Sequence, residues 1–178
     1  QYAGFALAIR EDCVEAWVNR GLACDRQRKL GEALEAYQHV VEAEPDNPTA
    51  LLLMGRALRR LNRLDDALRV LEKGLELVPD NPELLFEKSL VLLRKGKREE
   101  AVPHLVAAVK RNPKHHAAYF HLANTLNRLG KAEEALHYYN LVLKLKPDYP
   151  EAWNNRGIAL SKSGKLDKAV ESYRKALS

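Results

Sequence analysis

The sequence lacks several features that would point to particular classes of protein. It contains only two cysteines, Cys13 and Cys24, which are too few for a disulfide framework and lack the spacing of metal ligands. It has no run of about 18 uninterrupted apolar residues, so it predicts no membrane span. Aromatic residues make up only 7% of the chain. With 46% hydrophobic and 30% charged residues, the composition is that of a folded globular protein and excludes a disordered or collagen-like chain.

Residue patterns typical of enzymes and metal centres are also missing. The sequence has no glycine-rich phosphate loop, no nucleophile motif and no convergent pair of carboxylates. His115, His116 and His121 are spaced by one and five residues, which places them on different sides of a helix with no cysteine or carboxylate to join them. We therefore expect no catalytic residues, no cofactor and no bound metal.

A period of 34 residues is the strongest signal that the sequence carries. Pro45, Pro79, Pro113 and Pro147 follow one another at this spacing. Four further sets of residues keep the same step: Trp17, Leu51, Leu85, Tyr119 and Trp153; Gly21, Gly55, Ser89, Ala123 and Gly157; Ala33, Ala67, Ala101, Ala135 and Ala169; and Tyr37, Leu71, Leu105, Tyr139 and Tyr173. Because independent sets stay in phase over five units, we predict a repeat architecture.

Within one unit the spacing of apolar residues predicts two helices joined by a short turn. Trp153, Gly157 and Leu160 recur at the helical period, and a second helical series runs from Leu166 to Leu177. At the turn, Gly96, Gly130 and Gly164 can adopt the left-handed conformation that ends a helix, and Asn62 can replace glycine there. Arg28 holds the same position in the first unit, where we expect a less relaxed turn. Asn47 and Asn81, each followed by a proline, are expected to cap the next helix.

These residues resemble the tetratricopeptide repeat family, with a large apolar residue, a small one four later, a glycine turn, a second-helix alanine and a closing proline. The resemblance implies an all-α, right-handed α-solenoid of antiparallel helix pairs in a single domain over 1–178. The five 34-residue units lie near 14–47, 48–81, 82–115, 116–149 and 150–178. Residues 1–10 are predicted to be the second helix of a truncated preceding repeat. The chain departs from the family pattern at Arg20, Lys88 and Arg156, where leucine is usual.

One arc of each first helix is predicted to face solvent, and the resemblance implies that this arc lines a concave surface where partners dock. The arc contains large apolar residues: Val18, Leu22, Leu52, Leu53, Phe86, Leu90, Leu93, Phe120 and Ile158. An exposed apolar strip of this kind is typical of a binding groove. The alternative is that Val18, Leu52, Phe86 and Phe120, one residue past the core position, are half-buried where neighbouring first helices touch.

The same arc contains a basic row along the repeats, formed by Arg26, Arg60, Arg94, Arg128 and Lys162. Arg56, Arg59, Arg60 and Arg63 make a denser cluster within one helix. An anionic or carboxylate-bearing partner would suit these side chains. A solvated charged helix face with no ligand is the alternative.

Asparagines form a further predicted partner contact on the first helices. Asn19, His121 and Asn155 share one repeat position, and Asn124 and Asn154 lie nearby. An asparagine side chain offers a donor and an acceptor together, so it can hold a peptide backbone whatever its sequence. The set is similar to an interrupted form of the asparagine ladder in O-linked N-acetylglucosamine transferases, broken by Leu53 and Glu87.

We therefore predict a protein-protein interaction scaffold that binds a peptide or partner helix in the concave groove, where the basic row suits acidic residues of that partner. Nucleic-acid binding through the basic cluster, or service as the recognition arm of a larger enzyme, are the alternatives. Self-association is expected through uncapped ends, where Phe5, Ile9, Val170, Tyr173 and Leu177 lack a covering helix. The low cysteine content favours a cytoplasmic location, and the first residue, Gln1, suggests a fragment of a longer chain.

Overall fold

The structure, a computed structural model, describes residues 2–178, with side chains from Cys13 onward. Over this range the chain forms ten α-helices and no strand, as predicted. The helices are, in chain order, α1 (Tyr2–Arg26), α2 (Leu30–Ala43), α3 (Pro48–Arg60), α4 (Leu64–Leu77), α5 (Pro82–Arg94), α6 (Arg98–Arg111), α7 (His116–Arg128), α8 (Ala132–Leu145), α9 (Pro150–Lys162) and α10 (Leu166–Leu177).

The chain divides into two compact units, one ending at Lys95 and the other running from Gly96 to Ser178. In the first unit α1 packs on α2 and α3 on α4, while α2 contacts α3 and α4 contacts α5. In the second unit α7 packs on α8 and α9 on α10, while α6 contacts α7 and α8 contacts α9. Consecutive helix pairs therefore stack on one another within each unit, which confirms the predicted helix-pair architecture. The organisation of 1–178 as one domain stays a prediction.

Helix α1 differs from the expectation for residues 1–10. It runs without interruption from Tyr2 to Arg26, so no separate second helix of a preceding repeat ends before Val14. The reason lies in the local sequence. Where later units have the closing proline, the first unit has Glu11, and Cys13 takes the place of the capping asparagine. Without either residue, the helix has no local signal to end there.

Left-handed residues end the first helix of every repeat at the predicted positions. Gly96, Gly130 and Gly164 have φ of 79°, 81° and 73°, and Asn62 and Arg28 have φ of 62° and 60°. In the first turn the Lys29 amide donates to the Cys24 carbonyl at 2.9 Å, which closes a Schellman-type end. Arg28 is therefore a residue with a β-carbon in a conformation that favours glycine, as the sequence predicted.

The asparagine caps and the core also follow the repeat. The Asn47 side chain accepts hydrogen bonds from the Thr49 and Ala50 amides, and Asn81 caps α5 in the same way. All five alanines of the repeat are at most 2% exposed. A β-carbon added at Gly21 would lie 2.4 Å from Tyr37 Cε1, so only glycine permits this approach of α1 to α2.

Candidate functional site

The predicted partner-binding residues lie on the first helices of the repeats. In the first unit they lie on α1, α3 and α5, and in the second unit on α7 and α9. Each unit uses its residues differently, because the first unit pairs its charges internally and the second unit gathers its asparagines around a cleft.

The arginine cluster of α3 is engaged by a buried carboxylate of α5. Arg56 Nε donates to Glu87 Oε1 at 2.7 Å, and Arg59 Nε donates to Glu87 Oε2 at 2.8 Å. Glu87 is only 3% exposed. A carboxylate that accepts one charge-assisted hydrogen bond on each oxygen has its burial cost offset by both arginines. Arg56 and Arg59 are thus held by their own chain.

Two members of the predicted basic row are also engaged within the first unit. Arg60 Nη1 forms a salt bridge with Asp25 of α1. Arg94 Nη1 donates to the Arg59 backbone carbonyl at 2.7 Å. Arg26 of α1 is exposed, as are Arg128 and Lys162 in the second unit. The row predicted to face an anionic ligand therefore consists in part of side chains that already link neighbouring helices.

In the first unit, the residues of the predicted apolar strip are buried or half-buried and offer little exposed surface to a partner. Phe86 is 8% exposed and belongs to the buried face of α5, so the expectation that it offers a contact surface is not met. Its position one residue past the core residue Leu85 explains this burial. Leu52 and Leu53 are half-buried and pack against the core of the first unit. Further predicted apolar contacts are half-buried in the same unit: Val18, Leu22, Leu90 and Leu93.

In the second unit Phe120 and Ile158 are the apolar members of the predicted arc. Phe120 is half-buried, and its ring centroid lies 4.8 Å from that of Tyr149. It packs against the small core cluster formed by Val142, Leu143 and Ala152. Ile158 remains 37% exposed on α9. Phe120 thus packs with one side of its ring on this core and exposes the rest of the ring to solvent.

A single open cleft of the second unit brings four predicted site residues together. Its volume is about 570 Å³. We call it the asparagine cleft, and its lining residues are Phe120, Asn124, Pro150, Glu151, Asn154, Asn155, Ala176 and Leu177. The helices α7, α9 and α10 contribute these side chains, so the cleft depends on the packing of α9 against its neighbours.

Hydrogen bonds orient the amides of the asparagine cleft. Asn124 Oδ1 accepts from the Tyr139 hydroxyl at 2.5 Å and from Asn155 Nδ2 at 2.8 Å. Asn154 Nδ2 donates to Asn155 Oδ1 at 3.3 Å. Burial raises the pKa of the Tyr139 hydroxyl, so this group stays protonated and keeps its donor role. With its oxygen doubly occupied, Asn124 keeps an amide nitrogen that donates to no group among the described residues.

Two side chains have roles in the structure that the sequence pattern does not predict. Tyr139 belongs to the large apolar position of the repeat, and its hydroxyl became part of the site only through the fold. The signal in the sequence is a tyrosine where two other units have Leu71 and Leu105. The sequence pattern presents Glu87 as an interruption of the asparagines, whereas in the structure its carboxylate holds Arg56 and Arg59 of the preceding repeat.

The remaining predicted residues do not join the asparagine cleft. His121 is half-buried, with its ring centroid 6.1 Å from that of Phe120 in an edge arrangement. Asn19 is exposed on α1 in the first unit. His115 caps α7 by accepting from the Ala118 amide at 3.3 Å. Within the described residues, no group of three His, Cys, Asp or Glu side chains is arranged to hold a metal ion. None of the described helices is long and apolar enough to cross a membrane.

Comparisons with known proteins identify related folds. Models described as tetratricopeptide repeat match residues 2–48 with 86–150, residues 26–85 and residues 150–178. A structure of MamA, from residue 41 to its end, from Desulfovibrio magneticus RS-1 has 25% identity and a TM-score of 0.83, covering 93% of this chain and 94% of that one. A crystal structure of MamA protein has 23% identity and a TM-score of 0.81, covering 94% and 91%. No curated protein matches significantly.

Proposed function

Because the chain belongs to the tetratricopeptide repeat family, we propose that it is a protein-interaction scaffold whose second unit binds an extended peptide in the asparagine cleft. The observation that carries this proposal is the convergence of Phe120, Asn124, Asn154 and Asn155 on one cleft. These residues come from two helices and from separate repeats.

The chemistry of the asparagine cleft matches a peptide backbone. An extended peptide presents one N–H donor and one C=O acceptor per residue, none of them paired within the peptide. The free amide nitrogen of Asn124 can donate to a backbone carbonyl, and the exposed side chain of Asn154 can both donate and accept. Phe120 and Leu177 supply apolar surface for one side chain of the peptide. Recognition of this kind depends little on the sequence of the bound segment.

The alternative of nucleic-acid binding is less well supported by the arrangement of charges. It depends on an arginine cluster free to contact phosphates. Arg56 and Arg59 instead hold Glu87, and Arg60 pairs with Asp25. The free thiols of exposed Cys13 and buried Cys24 fit a reducing compartment such as the cytoplasm.

Peptides selected from a random library against the whole chain test the proposal. We expect Asn154→Ala to weaken the binding of the selected peptides by about 2- to 10-fold in fluorescence anisotropy, because a neutral hydrogen bond to a peptide backbone is worth about 0.5–1.5 kcal/mol. Asn154 is exposed, and among the described residues its side chain makes one long hydrogen bond, so the variant should keep the parent's thermal stability.

Asn19→Ala is the matched control, since Asn19 is an exposed asparagine on the first helix of a repeat outside the cleft. Its affinity for the peptides should equal that of the parent. Unchanged affinity in both Asn154→Ala and Asn124→Leu would remove the cleft as the binding site. Tight binding of an RNA pool that collapses between 50 and 200 mM salt, about the range over which phosphate contacts are lost, would favour the nucleic-acid function instead.

A further inference from the structure

A second candidate site begins with an arginine where the repeat favours an apolar residue. Arg156 of α9 shares its repeat position with Met54 and Leu122 and with the cationic Arg20 and Lys88, where the tetratricopeptide pattern usually has leucine. Leu122 is fully buried in the second unit. A guanidinium at this position loses part of its hydration and packs less well than leucine would. An arginine in place of the usual leucine therefore costs stability unless it has another role.

Neutral groups hold the Arg156 side chain in place. Its Nε donates to Asn140 Oδ1 at 2.8 Å, and its Nη1 donates to Ser172 Oγ at 2.7 Å. Ser172 is fully buried, and its hydroxyl in turn donates to the Lys168 carbonyl at 2.9 Å. The guanidinium also lies over the Trp153 ring, 5.5 Å from its centroid. Arg156 is therefore positioned by three helices before any ligand binds.

The positive charge of Arg156 has no carboxylate in salt-bridge contact within the part of the chain that the structure describes. Its Nη2 makes no hydrogen bond to any described residue. Lys88, at the same position of the third repeat, pairs with Glu72 Oε1 at 2.9 Å. Burial lowers the pKa of Arg156, while the more distant Glu171 raises it, and an arginine remains charged at neutral pH. Arg156 thus keeps a fixed charge and unused donors.

These donors lie at a cleft between α9 and α10 with a volume of about 490 Å³. We call it the Trp153 cleft, and its lining residues are Trp153, Arg156, Glu171, Arg174, Lys175 and Ser178. Three of the side chains are cationic and one is anionic, so the cleft is positive overall. The Trp153 indole adds an aromatic wall beside those charges.

We propose that the Trp153 cleft binds a small organic anion in which a phosphate or carboxylate is attached to an aromatic ring. The anionic oxygens accept hydrogen bonds from the free Nη2 of Arg156, whose planar donors match such a group. Arg174 and Lys175 add positive charge, and the ring of the ligand lies beside Trp153. The site is separate from the asparagine cleft, so it does not depend on the proposed peptide function.

Trp153 itself provides the readout for a test. The chain has two tryptophans, so Trp17→Phe leaves Trp153 as the sole indole emitter. In this background, titration with phenyl phosphate or with benzoate should produce a saturable change in emission. The compound that binds with the higher affinity identifies the preferred anionic group. Arg156→Leu should weaken that binding by at least about tenfold, because it removes the charge-assisted hydrogen bonds.

The controls separate loss of the site from loss of the fold. Arg156→Leu restores the residue found at Leu122, so circular dichroism should show an intact helical chain. Arg20→Leu changes the arginine at the same position of the first repeat and should leave the titration unchanged. Three results would each overturn the proposal: non-saturating titrations with both anions, equal affinity in Arg156→Leu, or inorganic phosphate or phenol binding as tightly as phenyl phosphate.

Discussion

Tyr37 and Tyr139 occupy the same position of the repeat, but their hydroxyl groups have different surroundings. The Tyr139 hydroxyl donates to Asn124 at 2.5 Å. The Tyr37 hydroxyl is buried and has no hydrogen-bond partner among the described residues. Burial raises the pKa of Tyr37 from 10.0 to about 12, with a smaller contribution from the negative charge of Asp25. The pair therefore isolates the value of one buried hydrogen bond in equivalent backbone settings.

We expect Tyr139→Phe to lower the free energy of unfolding by about 1–2 kcal/mol, and Tyr37→Phe to leave it unchanged or raise it by up to about 1 kcal/mol. The two values differ because only Tyr139→Phe removes a hydrogen bond that is present in the folded chain, the one to Asn124. Urea denaturation followed by circular dichroism measures both values. Equal losses in the two variants would contradict the prediction, because they would show that the hydrogen bond from Tyr139 to Asn124 adds no stability beyond that of an unpaired buried hydroxyl.

The same variants report on alkaline stability. The folded chain favours the neutral Tyr37 hydroxyl, which raises its pKa. Its contribution to the free energy of unfolding is therefore complete below pH 10 and is lost as the pH rises toward about 12. Tyr37→Phe has no hydroxyl to ionise at this position, so it lacks this loss of stability at high pH. The parent should therefore lose stability more steeply than Tyr37→Phe between those values.

At the scale of helices, Glu87 joins α5 to α3 through two arginines. It lies nearly fully buried between Arg56 and Arg59, which are partly exposed. A buried carboxylate with two arginines adds little net stability over an apolar replacement, yet removal of one member leaves charge without compensation.

Glu87→Gln should destabilise the chain by about 1–3 kcal/mol, because both guanidinium groups lose their counter-charge in a partly buried setting. Glu72→Gln is the control, since exposed Glu72 pairs with Lys88 and its loss should cost at most about 0.5 kcal/mol. Chemical denaturation at low salt measures both. A cost for Glu87→Gln no larger than that of the control would contradict the structural role of Glu87.

At the scale of the whole molecule, the last helix presents apolar side chains to solvent. Leu166, Val170 and Leu177 are 62%, 47% and 89% exposed. In α8, Leu136 and Leu143 hold the repeat positions of Val170 and Leu177. They are only 7% and 8% exposed, and α8 packs against α9. The same repeat position is therefore covered in one helix pair and open in the next. The side chains of Phe5 and Ile9, expected to behave similarly, lie outside the described residues.

We predict that this chain self-associates as its concentration rises, because association removes the apolar face of α10 from water. Sedimentation velocity over a range of concentrations should show a growing mass, and Val170→Lys should suppress it. Leu145→Lys, at an exposed leucine of α8, should have little effect. A parent chain that stays monomeric at every concentration would refute the prediction.

The sequence by itself determined the helices and their pairing. The prolines, the turn glycines and Asn62, and the capping Asn47 and Asn81 act through local backbone geometry, which a sequence pattern records directly. Where these signals are missing, near Glu11, the predicted helix boundary was wrong. The 34-residue period also predicted the alanine and glycine positions at which helices pack closely.

Only the tertiary structure decided which side chains remain available to a partner. Helical periodicity assigns a residue to a face, but it does not show whether an opposite charge or an apolar neighbour covers that face. The arginines of α3 meet Glu87, and Phe86 becomes buried, through contacts between repeats. Asn124, Asn155 and Tyr139 form one hydrogen-bonded group for the same reason. These outcomes depend on distances between helices far apart in sequence, which the repeat pattern does not contain.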